Sequence, residues 1–132
     1  MTKKTRASGS TILLAEEDVL LRAPLAQYLR ECGHRVVEAT TAFEAKLALS
    51  KIDLNVSTVV TSVQLAGDGF GISTWVRRHR PDVNVKITGT LRRAVEVIVD
   101  LCGGGAPHLD PQLLLRRMQQ MLATRKSPPS VA

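Results

Sequence analysis

Aromatic side chains are scarce in this chain, at 3% of 132 residues. Hydrophobic residues reach 44%, so a core can form, but Leu, Val, Ile and Ala must fill it. No apolar run approaches the roughly 20 residues that cross a bilayer. No secretory leader is expected either. The basic stretch Met1 to Ser10 precedes only Ile12-Leu13-Leu14-Ala15, too short for the apolar part of a signal peptide. These absences lead to a cytoplasmic protein with no membrane role. Cysteine is limited to Cys32 and Cys102, with no CxxC pair and no accompanying His cluster. The expectation is two buried or incidental thiols in a reducing compartment. Gly103-Gly104-Gly105 lacks the Lys-Ser/Thr of a phosphate-binding loop. No GxSxG surrounds Ser62, which excludes that form of hydrolase nucleophile.

Acidic residues are absent from both ends, and this locates the net charge of +6. Lys3, Lys4, Arg6, Arg125 and Lys126 lie in the tails, while the other 13 basic residues and all 12 acids lie between Thr11 and Thr124. The part that folds is therefore nearly neutral, and a nucleic-acid binder working through its basic tails is a rival rather than the first reading. The expected layout is a disordered basic tail at 1–10, one domain at 11–124, and a disordered tail at 125–132, where Ser-Pro-Pro-Ser occurs. Arg77-Arg78-His79-Arg80 forms a basic patch, which a helix C-terminus favours without any ligand.

What is present alternates between two periods. Thr11 to Ala15 has the length and apolarity of a buried strand, and Glu16-Glu17-Asp18 ends it. From Val19 the period is helical, with Leu21, Leu25, Tyr28 and Leu29 on one face and Gly33 as the helix-ending glycine. Val36-Val37 makes a second strand. Thr41 and Glu44 read as a capping box for a helix through Phe43, Leu47 and Leu49. Val56 to Val63 is a third strand, and Gln64 to Gly71 a loop. Ile72 to Arg80 is a helix stopped by Pro81. Val83 to Thr88 is a fourth strand. Asp110-Pro111 opens a last helix with Leu113, Leu114, Met118, Met121 and Leu122 on its apolar face. Between Thr88 and Asp110 two readings stay open, a helix at Arg92 to Val99 or a strand at Val95 to Leu101. Thr90 to Gly105 is expected to be the least regular and most mobile part.

Strand–helix alternation of this kind implies an α/β fold, a parallel sheet doubly wound with helices on both faces. In such sheets ligands gather at the C-terminal strand ends. Here those ends offer Glu16, Glu17, Ser62 and Thr88. An acid pair at a strand end can hold a hard cation such as Mg²⁺. The plainer reading of Glu16-Glu17-Asp18 is a negative first turn favoured by the helix dipole.

Order and spacing along the chain resemble the receiver domain of two-component response regulators. The stretches that carry the resemblance are Ile12 to Arg22, Gly33 to Ala39 with Phe43-Glu44-Ala45, Ser62 to Phe70, Pro81 to Thr88, and Asp110 to Leu114. The resemblance implies a flavodoxin-like fold with a five-stranded sheet. It implies a role in phosphorelay signalling, with a histidine kinase or output protein as partner and the chain as monomer or weak homodimer. It also carries over a contact surface made by the fourth helix, the fifth strand and the last helix. The departures fall on the chemistry. Ser62 stands at the phospho-acceptor aspartate, Ala106 at the phosphoryl-binding lysine before Pro107, and no Tyr or Phe follows Trp75 to serve as the fifth-strand aromatic. Thr88 matches the family's hydroxyl residue. With two acids left, Glu16 and Glu17, any Mg²⁺ would be weakly held, and no other cofactor is implied. The expected protein is a degenerate, non-enzymatic receiver-like module that acts by phosphorylation-independent protein contact. A conventional phosphoryl-accepting receiver whose acceptor was replaced by Ser62 is the alternative.

Overall fold

The computed structural model describes residues 10–65, 69–103 and 110–126. Its elements are β1 (Thr11–Ala15), α1 (Val19–Glu31), β2 (Arg35–Ala39), α2 (Ala42–Leu49), β3 (Val56–Ser62), α3 (Gly69–His79), β4 (Asn84–Thr88), α4 (Leu91–Leu101) and α5 (Pro111–Lys126). Local chemistry sets most boundaries. The Asp18 carboxylate caps α1 by accepting from Leu20 N at 3.0 Å. Gly33, at φ 96°, turns the chain out of α1 where a side chain would be strained. The α2 capping box is only half formed: Thr41 Oγ1 accepts from Glu44 N, but the Glu44 carboxylate reaches past Thr41 to Thr40 N at 2.7 Å. Helix α5 runs to Lys126, beyond the Thr124 at which the folded part was expected to end.

The strands form one parallel sheet in the order β2-β1-β3-β4. Every residue of the central strand β1 is buried, as a strand covered on both faces must be. One face carries Leu13, Val59, Ala45, Leu49, Ile72 and Val76, from the sheet, α2 and α3. The other joins Ile12, Leu14 and Val60 to Leu25, Tyr28 and Leu29 of α1, Val95 and Ile98 of α4, and Leu114 and Met118 of α5.

Three expectations need correction here. Four strands, not five, are found among the described residues. The segment that could have been a strand, Val95 to Leu101, lies within helix α4, capped by Thr90 Oγ1 accepting from Arg93 N at 3.1 Å. Its apolar residues Leu91, Ala94, Val95, Ile98 and Val99 repeat at three and four, which a strand would split between two faces. Thr90 to Cys102 is accordingly regular, whereas Gly104, Gly105, Ala106, Pro107 and His108 lie outside the described residues. The side on which α4 packs bears on the same point. A right-handed crossover from β4 to another parallel strand at its outer edge would put the helix on the α2–α3 face. Instead α4 packs with α1 and α5 on the opposite face.

The second correction concerns α2. Phe43 and Leu47, read as its apolar face, are 74% and 48% exposed. Ala42, Ala45 and Ala48 are buried instead, with Leu49. At 100° per residue Phe43 and Leu47 fall on the far side of that alanine stripe, and the small side chains let the helix lie close to the sheet.

The third concerns sulfur. Cys32 and Cys102 are not free thiols but a disulfide across 70 residues of sequence. The two residues cap the C-termini of α1 and α4, and packing on a common face brings their Cα atoms to 5.7 Å, a span a disulfide bridges without backbone movement. Sequence spacing carried no trace of this pairing.

Candidate functional site

Parallel register brings the C-terminal ends of β1, β3 and β4 side by side. Ala15 is level with Thr61, and Ser62 with Thr88. The chain leaving each strand therefore opens into one cleft of about 360 Å³, which Glu16, Glu17, Ser62 and Thr88 all line. Residues not read from the sequence as part of a site complete it: Gln64, Gly89, Thr90 and, as an apolar wall, Leu21, Leu91 and Leu122.

Each chemical group has a defined environment. Glu16 is half-buried, and its backbone N–H donates to Ala39 O at 2.9 Å, which holds the β1 exit against β2. One carboxylate oxygen accepts from Asp18 N at 2.9 Å. The carboxyl also meets the Ser62 hydroxyl. Burial raises its pKa above the ordinary glutamate value; the hydrogen bonds to Asp18 N and Ser62 oppose that rise, and the charge of Asp18 adds to it. Glu17 is exposed. Thr88 is buried, and its carbonyl accepts from Val63 N at 3.0 Å, tying the loop after β3 to β4. Ser62 Oγ accepts from Gln64 N at 3.0 Å.

The cleft can bind by hydrogen bonds, but its donor set does not fit a divalent cation well. No group of three His, Cys, Asp or Glu side chains is placed to hold a metal among the described residues. The better-placed acid, Glu16, already spends an oxygen on Asp18 N. Hard cations need six or more oxygen ligands, and Mg²⁺ tolerates little distortion. Nor does any Lys or Arg line the cleft among the described residues. Arg92 and Arg93 border a groove between α4 and α5 instead, where Arg93 pairs with Glu96 at 3.4 Å. Ser62 has a carboxylate neighbour in Glu16, yet a carboxylate is a weak base toward an alcohol.

The order of the sheet and the placement of the cleft can be set against known structures. No family model matches the sequence, and no curated protein is similar enough in sequence to count as a relative. Solved structures do match. The response regulator receiver domain protein from Clostridium thermocellum superposes with a TM-score of 0.57 at 17% identity, over 89% of this chain and 97% of its own. A response regulator receiver protein from Pseudomonas putida gives 0.57 at 20% identity, over 87% and 96%. The MaeR response regulator bound to beryllium trifluoride gives 0.55 at 21%, over 89% and 98%. This chain has the receiver-domain fold.

Within that receiver fold the residues carried over from the resemblance divide into three groups. Glu16, Glu17, Ser62 and Thr88 come together. Ala106, like Ala66 and Asp68 of the loop after β3, lies outside the described residues. The contact surface of fourth helix, fifth strand and last helix is not assembled as expected, because α4 and α5 pack on each other with no intervening strand among the described residues.

Some residues were misread or missed. The patch Arg77-Arg78-His79-Arg80 does not act as one surface. Arg80 turns inward, donating to Leu49 O at 2.8 Å and pairing with Asp82 at 3.1 Å, while His79 stacks on Trp75 with ring centroids 4.5 Å apart. Arg125, assigned to a solvated tail, forms two bonds to the Asp18 carboxylate at 2.6 and 3.0 Å. That hydrogen bond is the main reason the Asp18 carboxyl titrates below its ordinary value. Leu49 and Asp18 are distant in sequence from Arg80 and Arg125, so no local signal could have found those bonds, whereas Asp82 and Trp75 lie within four residues of their partners.

Proposed function

We propose that this chain is a cytoplasmic receiver-type signalling module that works by protein–protein contact and does not take up phosphate. The observation that carries the reading is the composition of the cleft. Among the described residues it presents carboxylates and hydroxyls with no lysine or arginine, and the residue at the end of β3 is Ser62. Phosphoryl transfer rests on positioning and on neutralising charge by metal and cation, and the described residues supply neither well. The partner would be a histidine kinase or an output protein, recognised without a phosphorylation step. Mg²⁺ would bind weakly through Glu16 and Glu17. A nucleic-acid role loses support because Arg80 and Arg125 are engaged within the protein.

The test is mass spectrometry after treatment with acetyl phosphate and Mg²⁺, with beryllium trifluoride binding as a second probe, since MaeR is a receiver-fold protein seen with that ligand. The expected result is no adduct and no saturable beryllium trifluoride binding. An acid-labile adduct of about 80 Da, one phosphoryl group, would overturn the proposal.

A further inference from the structure

We propose that Cys32 and Cys102 form a reversible thiol–disulfide latch that sets how firmly helix α4 is held at the cleft. The proposal does not depend on how the cleft itself is used.

The positions of the two sulfurs come from backbone construction at both ends. Cys32 is the C-cap of α1 and Cys102 the C-cap of α4. Each is followed by a glycine with positive φ, Gly33 at 96° and Gly103 at 68°, the left-handed turn with which helices commonly stop. Each cysteine N–H bonds back to its own helix, Cys32 to Tyr28 O at 3.2 Å and Cys102 to Ile98 O at 3.2 Å. Two capped helix ends thus present their sulfurs to each other. Neither cysteine is fully buried, so a small thiol can reach the bond.

Leverage comes from α4. It has 11 residues, about 16 Å of helix at 1.5 Å per residue, and helices that short are marginal without tertiary support. At one end Thr90, Leu91 and Ala94 line the cleft with Glu16 and Ser62. At the other end the disulfide to α1 is supplemented by His34 Nε2 on Leu101 O at 2.9 Å. Opening the disulfide removes the covalent anchor from that end and leaves apolar packing and the His34 contact. The state of the sulfurs is thereby coupled to the wall of the cleft at the far end of the same helix.

The chemistry needs only a small disulfide such as oxidised glutathione. One protein thiolate attacks it, forming a mixed disulfide and releasing one glutathione thiolate. The second protein thiolate attacks the protein sulfur of that mixed disulfide and releases the second glutathione. Two electrons pass from the protein dithiol to glutathione disulfide, and the two thiol protons pass to the released thiolates or to solvent. Excess reduced glutathione runs the same steps backwards.

The experiment equilibrates the full chain in buffers from mostly oxidised to mostly reduced glutathione. Free thiols are read by maleimide mass shift, and backbone order by hydrogen exchange. The expected result is reversible conversion within that range, with exchange across 91–101 accelerated in the reduced form by about tenfold or more beyond any acceleration of β3. The double variant Cys32→Ala with Cys102→Ala should show the reduced-form exchange in every buffer, which separates the latch from any other effect of the thiol reagent. Three results would overturn the proposal: a bond that persists in the most reducing buffer, a pair that stays as thiols in the most oxidising one, or equal α4 exchange in both states. A reduced chain in which 91–101 and β3 accelerate by the same factor would also overturn it, since the bond would then be a global staple only.

Discussion

Replacing Ser62 with aspartate places another carboxylate against Glu16, whose ionisation is already disfavoured by burial. Two like unit charges about 4 Å apart repel by about 4 kcal/mol at an effective dielectric near 20. Both residues are only partly buried, so solvent and salt reduce the net cost to about 1–2 kcal/mol. The hydrogen bond from Gln64 N to the side chain at position 62 survives, because a carboxylate accepts as well as a hydroxyl does. The metal-free variant should therefore melt about 4–10 °C below the wild type. The carboxylates at 16, 17 and 62 then line one cleft, and a cation there relieves the repulsion. If the variant holds Mg²⁺ with a Kd of about 1 mM, about 10 mM Mg²⁺ returns roughly 1.4 kcal/mol. The assay is thermal denaturation at neutral pH, with EDTA and with Mg²⁺ at matched ionic strength. The wild type should respond little. A wild type that gains as much from Mg²⁺ as Ser62→Asp would show that Glu16 and Glu17 alone make a metal site. A variant as stable as the wild type in EDTA would show that residue 62 does not face Glu16.

Three further outcomes are expected. Cys102→Ser should lower stability under oxidising conditions by about 2–4 kcal/mol, since closing a loop of this length is worth roughly 4 kcal/mol in the chain-entropy account; in excess dithiothreitol the variant and wild type should melt together, and a gap that persists there would assign the loss to packing. Arg80→Ala should cost about 1–3 kcal/mol in urea denaturation, because the guanidinium bonds Leu49 O and Asp82 from a largely buried position; Arg80→Lys should recover only part, as an ammonium lacks the fork, and a neutral Arg80→Ala would place the side chain in solvent. Glu16→Gln should leave the protein as stable as the wild type at pH 7 or more so: burial raises the folded Glu16 pKa above the ordinary value near 4.5, so the folded chain binds the extra proton and stability falls as pH rises through that window. The advantage of Glu16→Gln should vanish below about pH 4.5, and a variant less stable than wild type at pH 7 would mean that the Glu16 charge is favourable in the fold.

Local periodicity and turn chemistry were sufficient for most of the architecture. The buried run from Thr11 to Ala15, the helical period from Val19, the N-caps at Asp18 and Thr41, the glycine at 33 and the Asp110-Pro111 start all act within a few residues, and backbone geometry answers to them directly. Parallel alternation then brought Glu16, Glu17, Ser62 and Thr88 to one end of the sheet, because a strand's C-terminal end is defined by chain direction alone. Tertiary structure decided what rests on distant partners. Val95 to Leu101 became helix because its three-and-four repeat finds α1 and α5 to pack on, and no local rule names the face on which such a helix settles. Phe43 faces out because α2 buries its alanines against the sheet. The disulfide, the Arg125–Asp18 pair and the inward turn of Arg80 each join residues through space, and their energies depend on distances that exist only once the chain has folded.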